Sequence, residues 1–289
     1  MADRQANLRG ASWMVTMMLM LAILDVIMKF MMTEMPLFQA LFVRGCLLLP
    51  VTALILVMRQ ETKIKIDPRH RLIIAYRILC EMGLSLTMLM ALMTLPLANV
   101  TIILQAVPLG MVAAAALILK EQVGVRRWSA VLVGFIGVVI IIQPGAEGFT
   151  ANSFYAVIAA LLFIIRDILV RRLPSHYSTT FLAAPMVLAI TIMGGVMIPF
   201  TGWVPVQMHH LILLCLAGLA IGSTYLIAVH VMRIADVGFV SPFRYSGILF
   251  AIIAGILFFD EWPDRASLIG ATLIVGAGLY ALHREQLSR

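Results

Sequence analysis

Charge is what this sequence has least of. Asp, Glu, Lys and Arg make up only 12% of its 289 residues, and just 14 are acidic. Soluble domains carry about a quarter charged residues, so a water-soluble fold is excluded at once. Cysteine is equally scarce: Cys46, Cys80 and Cys215 all lie in apolar runs, without CxxC or Cys/His spacing. That excludes a disulfide framework and a zinc site, and leaves the three expected as small buried packing residues. No HExxH pair, no Ser/His constellation and no phosphate-binding glycine loop is present, so neither an intramembrane enzyme nor a nucleotide-driven machine is indicated. No cofactor and no metal site are expected.

Apolar residues, by contrast, reach 62%, with a mean hydropathy of +1.04. A helix needs about 20 apolar residues to cross a bilayer. Hydropathy, turn residues and charge place ten such spans at about 12–32, 38–58, 72–94, 98–119, 126–143, 151–170, 180–200, 209–232, 238–259 and 265–283. The first, Ser12–Met32, lacks a small-residue cleavage site and reads as a retained span rather than a signal peptide. The expected class is an all-α membrane protein of ten transmembrane helices.

The net charge of +7 does not point to nucleic acid, because the basic residues sit in short loops between apolar runs. With the N-terminus in the cytoplasm, 15 Lys and Arg fall on that side, Arg4, Arg59, Lys63, Lys65, Arg69 and Arg289 among them, and only Arg265 falls outside. Lysine and arginine in short loops set orientation. Both termini are therefore expected in the cytoplasm.

The chain echoes itself. Asp25 precedes Lys29 by four residues in span 1, and Asp167 precedes Arg171 by four in span 6. Leu97-Ala98-Asn99-Val100 has a counterpart in Ile234-Ala235-Asp236-Val237, and the run ending at Glu121 one in the run ending at Glu261-Trp262-Pro263. Two five-helix halves, residues 1–145 and 146–289, would enter the membrane from opposite sides because five is odd. That is an inverted repeat, with a site expected near the midplane between the halves.

Charges inside a membrane are costly and mark pairs or sites. Eight occur here: Asp25, Lys29, Arg44, Arg77, Glu81, Arg166, Asp167 and Arg244. Residues four apart share a helix face, so Asp25 with Lys29, Arg77 with Glu81, and Asp167 with Arg171 are expected to neutralise each other locally. Arg44 and Arg244 have no acid within helical reach. Each needs a partner from another helix, such as Glu81 for Arg44, or an anionic group on a ligand, which a guanidinium grips well. Ser241-Pro242-Phe243-Arg244-Tyr245-Ser246 surrounds one of them with aromatics and hydroxyls, and Gln105 with Pro108 makes a similar polar break in span 4. Arg44, Arg77, Glu81, Gln105, Phe243, Arg244 and Tyr245 form the candidate substrate site. Asp25, Lys29 and Asp167 are the candidates for coupling or gating. The 20 methionines read as adaptable packing, and His209-His210 as part of an external loop. Glycines such as Gly134, Gly137 and Gly270 fall inside spans, where small residues let helices approach.

Several features resemble one known family: Asp25-Val26-Ile27-Met28-Lys29, Phe42-Val43-Arg44, Arg127-Trp128 leading to Val133-Gly134-Phe135-Ile136-Gly137, Pro108 before Glu121, Pro242-Phe243-Arg244-Tyr245, and Phe259-Asp260-Glu261-Trp262. Together they resemble the drug/metabolite transporter superfamily, in its EamA branch, and within it a subgroup of S-adenosylmethionine uptake transporters. The resemblance spans nearly the whole chain. It implies a central cavity worked by alternating access, with a small-molecule substrate, and a proton or counter-substrate as driving partner, in a monomer or homodimer. A zwitterion suits the mixture of charges. Five basic residues against three acidic ones within the spans also leave open an organic-anion (di- or tricarboxylate) carrier, and an exporter of metabolites or drugs stays open too.

Overall fold

A computed structural model describes residues 4–61, 66–118, 120, 123–143, 152, 154–174 and 177–287. Lys63, Lys65, Glu121, Arg289 and the 145/146 boundary between the halves lie outside the described residues. The helices are α1 (Arg4–Glu34), α2 (Leu37–Met58), α3 (Pro68–Thr94), α4 (Leu97–Leu104), α5 (Val107–Ile118), α6 (Val125–Ile142), α7 (Phe154–Arg171), α8 (Thr179–Thr201), α9 (Met208–Ile234), α10 (Val237–Val240), α11 (Ser246–Phe259) and α12 (Arg265–Leu287). A single 3₁₀ turn, Ser241–Tyr245, joins α10 to α11. Among the described residues there is no strand.

Nine helical stretches among the described residues are long and apolar enough to cross a membrane. The chain is thus a multi-pass membrane protein. The stretch left out is α7, expected as span 6: its 18 residues carry three charges, Arg166, Asp167 and Arg171. Two spans are broken where the sequence suggested it. Span 4 divides at Gln105 into α4 and α5, and span 9 divides at the 3₁₀ turn that holds Pro242. Proline has no N–H to donate and crowds the preceding turn; the helix breaks at these two sites, while Pro50 in α2 and Pro185 and Pro199 in α8 lie inside continuous helices.

Local chemistry sets the ends. Asp67 accepts a hydrogen bond from Arg69 N at the start of α3, with Pro68 in the first turn, and Ser178 accepts one from Phe181 N at the start of α8. These are the side-chain caps that free helix N–H groups require. Asp260 takes a left-handed conformation, φ 54°, that stops α11. Beyond it, Asp264 accepts from Ser267 N at 2.7 Å and from Gln143 Nε2 at 3.0 Å. Hydrogen bonds from Ser267 hold the Asp264 carboxyl below the usual carboxylate range.

Helices pack across the chain more than along it. The main neighbours are α1 with α9, α2 with α8, α3 with α7, and α6 with α12, while α4 meets α11. One continuous core joins them, with Leu41, Leu92, Leu97, Ile102, Leu214 and Ile274 fully buried. Two crossings depend on glycine. A Cβ at Gly194 of α8 would stand 2.8 Å from both Phe38 O and Phe42 N of α2, and one at Gly270 of α12 would stand 2.8 Å from Gly137 O of α6.

Gly194→Ala must therefore push backbone against backbone. It should cost about 1–3 kcal/mol, the usual cost of overpacking, seen as a lower thermal midpoint in detergent, while Gly124→Ala, with nothing within 4 Å of its Cβ, should leave packing undisturbed. At the α12 cap the sign follows from a depressed carboxyl. Its contribution is complete above the ordinary value of 3.8 and fades as pH falls through the lower folded value. Asp264→Asn should flatten the loss of stability on acidification in that window.

Candidate functional site

A small cavity of about 110 Å³ with mostly apolar walls lies among α2, α3, α8 and α9. Arg44, Thr52, Glu81 and Ser85 supply its polar surface, and Leu41, Met186 and Ile190 are among its apolar walls. Arg44 and Glu81 are both buried, at 9% and 8% exposure. The cavity shares Leu48, Thr52, Ala183 and Gly222 with a larger, largely aliphatic groove of about 780 Å³ between α2, α8 and α9. That groove runs to the end of the bundle where Arg59, Tyr177 and His230 stand.

The charges pair differently from the local expectation. Glu81 accepts from Arg166 Nη1 at 3.2 Å across the α3–α7 contact, and Asp167 accepts from Arg166 Nη2 at 2.8 Å and Nε at 3.0 Å. The Arg166 guanidinium also lies 3.9 Å from the centre of the Phe163 ring. Arg77 instead donates to Leu182 O at 3.0 Å and contacts Met186 Sδ, tying α3 to α8. Asp25 lies in the field of Arg44 rather than pairing with Lys29. The four-residue pairs Asp25–Lys29, Arg77–Glu81 and Asp167–Arg171 are thus corrected to contacts between helices, or, for Asp167, to its chain neighbour. The physical reason is that interhelical packing brings a better donor to each carboxylate than the i+4 side chain does. In the sequence Arg166 is one of eight intramembrane charges with nothing to single it out. Its central place follows only from the α3–α7 crossing.

The second polar break lies against the first. Gln105 Nε2 donates to Arg244 O at 2.5 Å, so the interruption of span 4 is bonded to that of span 9. Buried polar groups need such partners. Arg244 Nε is buried and has no hydrogen-bond partner. Asp167 and Arg166 both act on it electrostatically. Tyr245 turns toward α12, where its hydroxyl occupies the space a Cβ at Gly278 would need. Phe243 is 38% exposed and faces Phe239, ring centres 6.0 Å apart. Of the seven candidate residues, only Arg44 and Glu81 line the small cavity.

Lys29 makes a different kind of contact. Its ammonium donates to Glu261 Oε1 at 2.5 Å and to Leu95 O at 2.8 Å, while Glu261 Oε2 accepts from Leu97 N at 2.8 Å. Pro96 caps α4 without a side-chain bond, so Glu261 serves that role from the α11–α12 connection. The cation sits where α3 ends and the anion where α4 begins, which is the order the helix dipoles favour. At the same end of the bundle Gln39, fully buried, exchanges two hydrogen bonds with Val204, at 2.6 and 2.8 Å. Glu34 Oε2 meets His209 Nε2 at 2.8 Å and His210 Nε2 at 2.9 Å. Neither Gln39 nor this trio was signalled by the sequence, because their partners lie 165 to 176 residues away.

The described residues thus form a multi-pass helical bundle that buries Arg44 and Glu81 together at one small cavity. Residues 8–143 match the EamA-like transporter family. That match covers just under half of the chain. It is 28% identical to an S-adenosylmethionine uptake transporter of Rickettsia prowazekii over 67% of this chain and 65% of that protein. It is 31% identical to a riboflavin transporter of Vibrio cholerae over 60% of this chain and 58% of that one. The matches thus span about two thirds or less of the relatives' length. These relatives are named as transporters, not enzymes. A solved structure, titled only as the crystal structure of a protein, superposes with a TM-score of 0.66 at 17% identity, covering 99% of this chain and all of the other. It speaks for the fold alone.

The Glu81–Arg166 contact should appear in a double-mutant cycle. Glu81→Gln and Arg166→Gln should couple by about 0.5–3 kcal/mol in thermal unfolding. Glu81→Gln with Arg171→Gln should be additive.

Proposed function

We propose that this chain is a secondary active transporter that carries a small polar metabolite across a bacterial inner membrane by alternating access. The observation that carries the reading is the cavity between α2, α3, α8 and α9 where Arg44 and Glu81 are buried together. Charges of both signs at one cavity suit a zwitterion, with Arg44 toward a carboxylate and Glu81 toward a cationic group. Names of relatives that point to S-adenosylmethionine uptake favour the same class. Arg244, with its unsatisfied Nε, supplies a second anion-seeking group near Asp167. Arg77, Gln105 and Tyr245 position the surrounding helices, and Phe243 stays at the rim.

In this reading ten spans form two inverted halves, residues 1–145 and 146–289, with both termini cytoplasmic. The packing supports it: exchanging span 1 for 6, 2 for 7, 3 for 8, 4 for 9 and 5 for 10 swaps the α1–α9 and α3–α7 pairings and leaves α2–α8, α6–α12 and α4–α11 in place. The groove opens at the arginine-rich end, and the opposite end is held by Lys29–Glu261, Gln39–Val204 and Glu34–His209/His210. Those contacts act as the outer gate, and Asp25, Glu81 and Asp167 are the groups able to take up a coupling proton.

A carrier of di- or tricarboxylates is the competing reading. Three of the five basic residues are already matched by acids, Lys29 by Glu261, Arg166 by Glu81 and Asp167, and Arg44 by the nearby Asp25. This reduces the positive excess that favoured it.

Uptake of labelled S-adenosylmethionine into vesicles tests the proposal, with riboflavin, amino acids and citrate as competitors. Arg44→Ala should lower uptake at least about tenfold, the cost of a lost charge-assisted hydrogen bond. An inserted Arg44→Ala protein that transports at the wild-type rate overturns the site. Absence of net flux or exchange of every compound in the panel overturns the transporter reading. Lys29→Met should loosen the outer gate, raising the labelling of Leu95→Cys by an impermeant maleimide in intact cells.

A further inference from the structure

The large groove beside the small cavity has a shape that a compact metabolite does not need. Its α2 wall runs from Leu47 to Arg59 and its α9 wall from Cys215 to His230. At 1.5 Å per helical residue these are about 18 and 22 Å long. One leaflet of a bilayer contributes about 15 Å of hydrocarbon, half of the roughly 30 Å core. The groove is therefore about as long as one acyl chain together with the start of its head group, and it lies along the spans.

Its chemistry changes along that length in the order a lipid requires. Leu48, Val51 and Ile55 line it from α2, and Leu219 and Leu226 from α9. Val51, Leu219 and Leu226 are 46%, 59% and 57% exposed, so the trough is open on the side that faces the bilayer. Its depth comes from Gly222, where a Cβ would meet nothing within 4 Å. Polar groups gather at one end, where Arg59 Nη1 approaches Thr180 Oγ1 at 3.5 Å beside Tyr177 and His230. The segment from Arg59 to Arg71 holds five basic residues, Arg59, Lys63, Lys65, Arg69 and Arg71, against Glu61 and Asp67. A basic segment at the membrane surface attracts anionic lipid at about 1 kcal/mol per residue.

We infer that the groove between α2, α8 and α9 is a binding site for one anionic phospholipid, its acyl chain along Leu48–Ile55 and Leu219–Leu226 and its phosphate at Arg59. The middle of that chain passes Gly222, which also borders the small cavity, and its tip reaches Cys215. The lipid tail is then the wall that separates the cavity from the bilayer. This inference rests on the groove alone and stands whether or not the chain transports a zwitterion.

The test reconstitutes the full chain in vesicles of phosphatidylcholine and phosphatidylglycerol, extracts it gently, and weighs retained lipid by native mass spectrometry. Wild-type protein should keep one phosphatidylglycerol. Gly222→Leu, whose side chain enters open space, should lose it, and Arg59→Gln should keep a lipid but lower the preference for phosphatidylglycerol about fivefold. A second measurement needs no substitution in the groove. With Cys46 and Cys80 replaced by alanine, a fluorophore on Cys215, which is exposed at the deep end of the groove, should be quenched by lipids brominated near the chain terminus. Retention unchanged by Gly222→Leu, no lipid on the wild type, or no quenching at Cys215 overturns the proposal. So does displacement of the retained lipid by S-adenosylmethionine, which would make the groove part of a solute path.

Discussion

A charged side chain or a free backbone group in hydrocarbon has no water to turn to, so it must be satisfied by protein. In this bundle the constraint acts between helices. Lys29 and Glu261, 232 residues apart, meet at 2.5 Å and at the same time complete the backbone on either side of Pro96, one at Leu95 O and the other at Leu97 N. A single ion pair thereby fixes α1, the α3–α4 turn and the end of α11 against one another. Breaking it would leave an ion, a carbonyl and an N–H without partners, which is why removing one member of a buried pair costs far more than the pair itself contributes.

The same constraint explains the two broken spans. Pro108 and Pro242 lie at these breaks, and the two breaks are bonded to each other, with Gln105 reaching the carbonyl of Arg244. Irregular backbone is tolerated at membrane depth where it is buried in protein or lines a cavity. Arg166 completes the interior by answering two carboxylates at once, Glu81 on α3 and Asp167 beside it. Among the described residues Lys29, Glu81, Arg166, Asp167 and Glu261 are thereby paired, and Arg44 and Glu81 border one small cavity.

Glycine does the complementary work on the apolar surfaces. At Gly194 and Gly270 the helices meet so closely that backbone atoms stand where a Cβ would be. Gly222 does the opposite. It leaves a hollow open to the bilayer, and the aliphatic trough along α2 and α9 follows from it. The same residue type thus seals one contact and opens another, depending on what faces it.

The sequence by itself determined the class: long apolar runs, a shortage of charge and basic residues confined to loops allow only a helical membrane protein. It also located the helix breaks, since proline acts on its own neighbours. It marked Arg44 and Glu81 as residues needing a reason to be buried, because the cost of an intramembrane charge is local. The partner of each charge was decided by the tertiary structure. The i+4 rule named Lys29 for Asp25 and Arg77 for Glu81, yet the folded chain gives Lys29 to Glu261 and Arg166 to Glu81. Tyr245 and Phe243 were read with Arg244 as one patch, but a 3₁₀ turn sends one against Gly278 and the other to the surface. Helix periodicity fixes which side chains share a face. Which face meets which is a property of the packed bundle, where the balance of desolvation and pairing is settled over contacts more than a hundred residues apart.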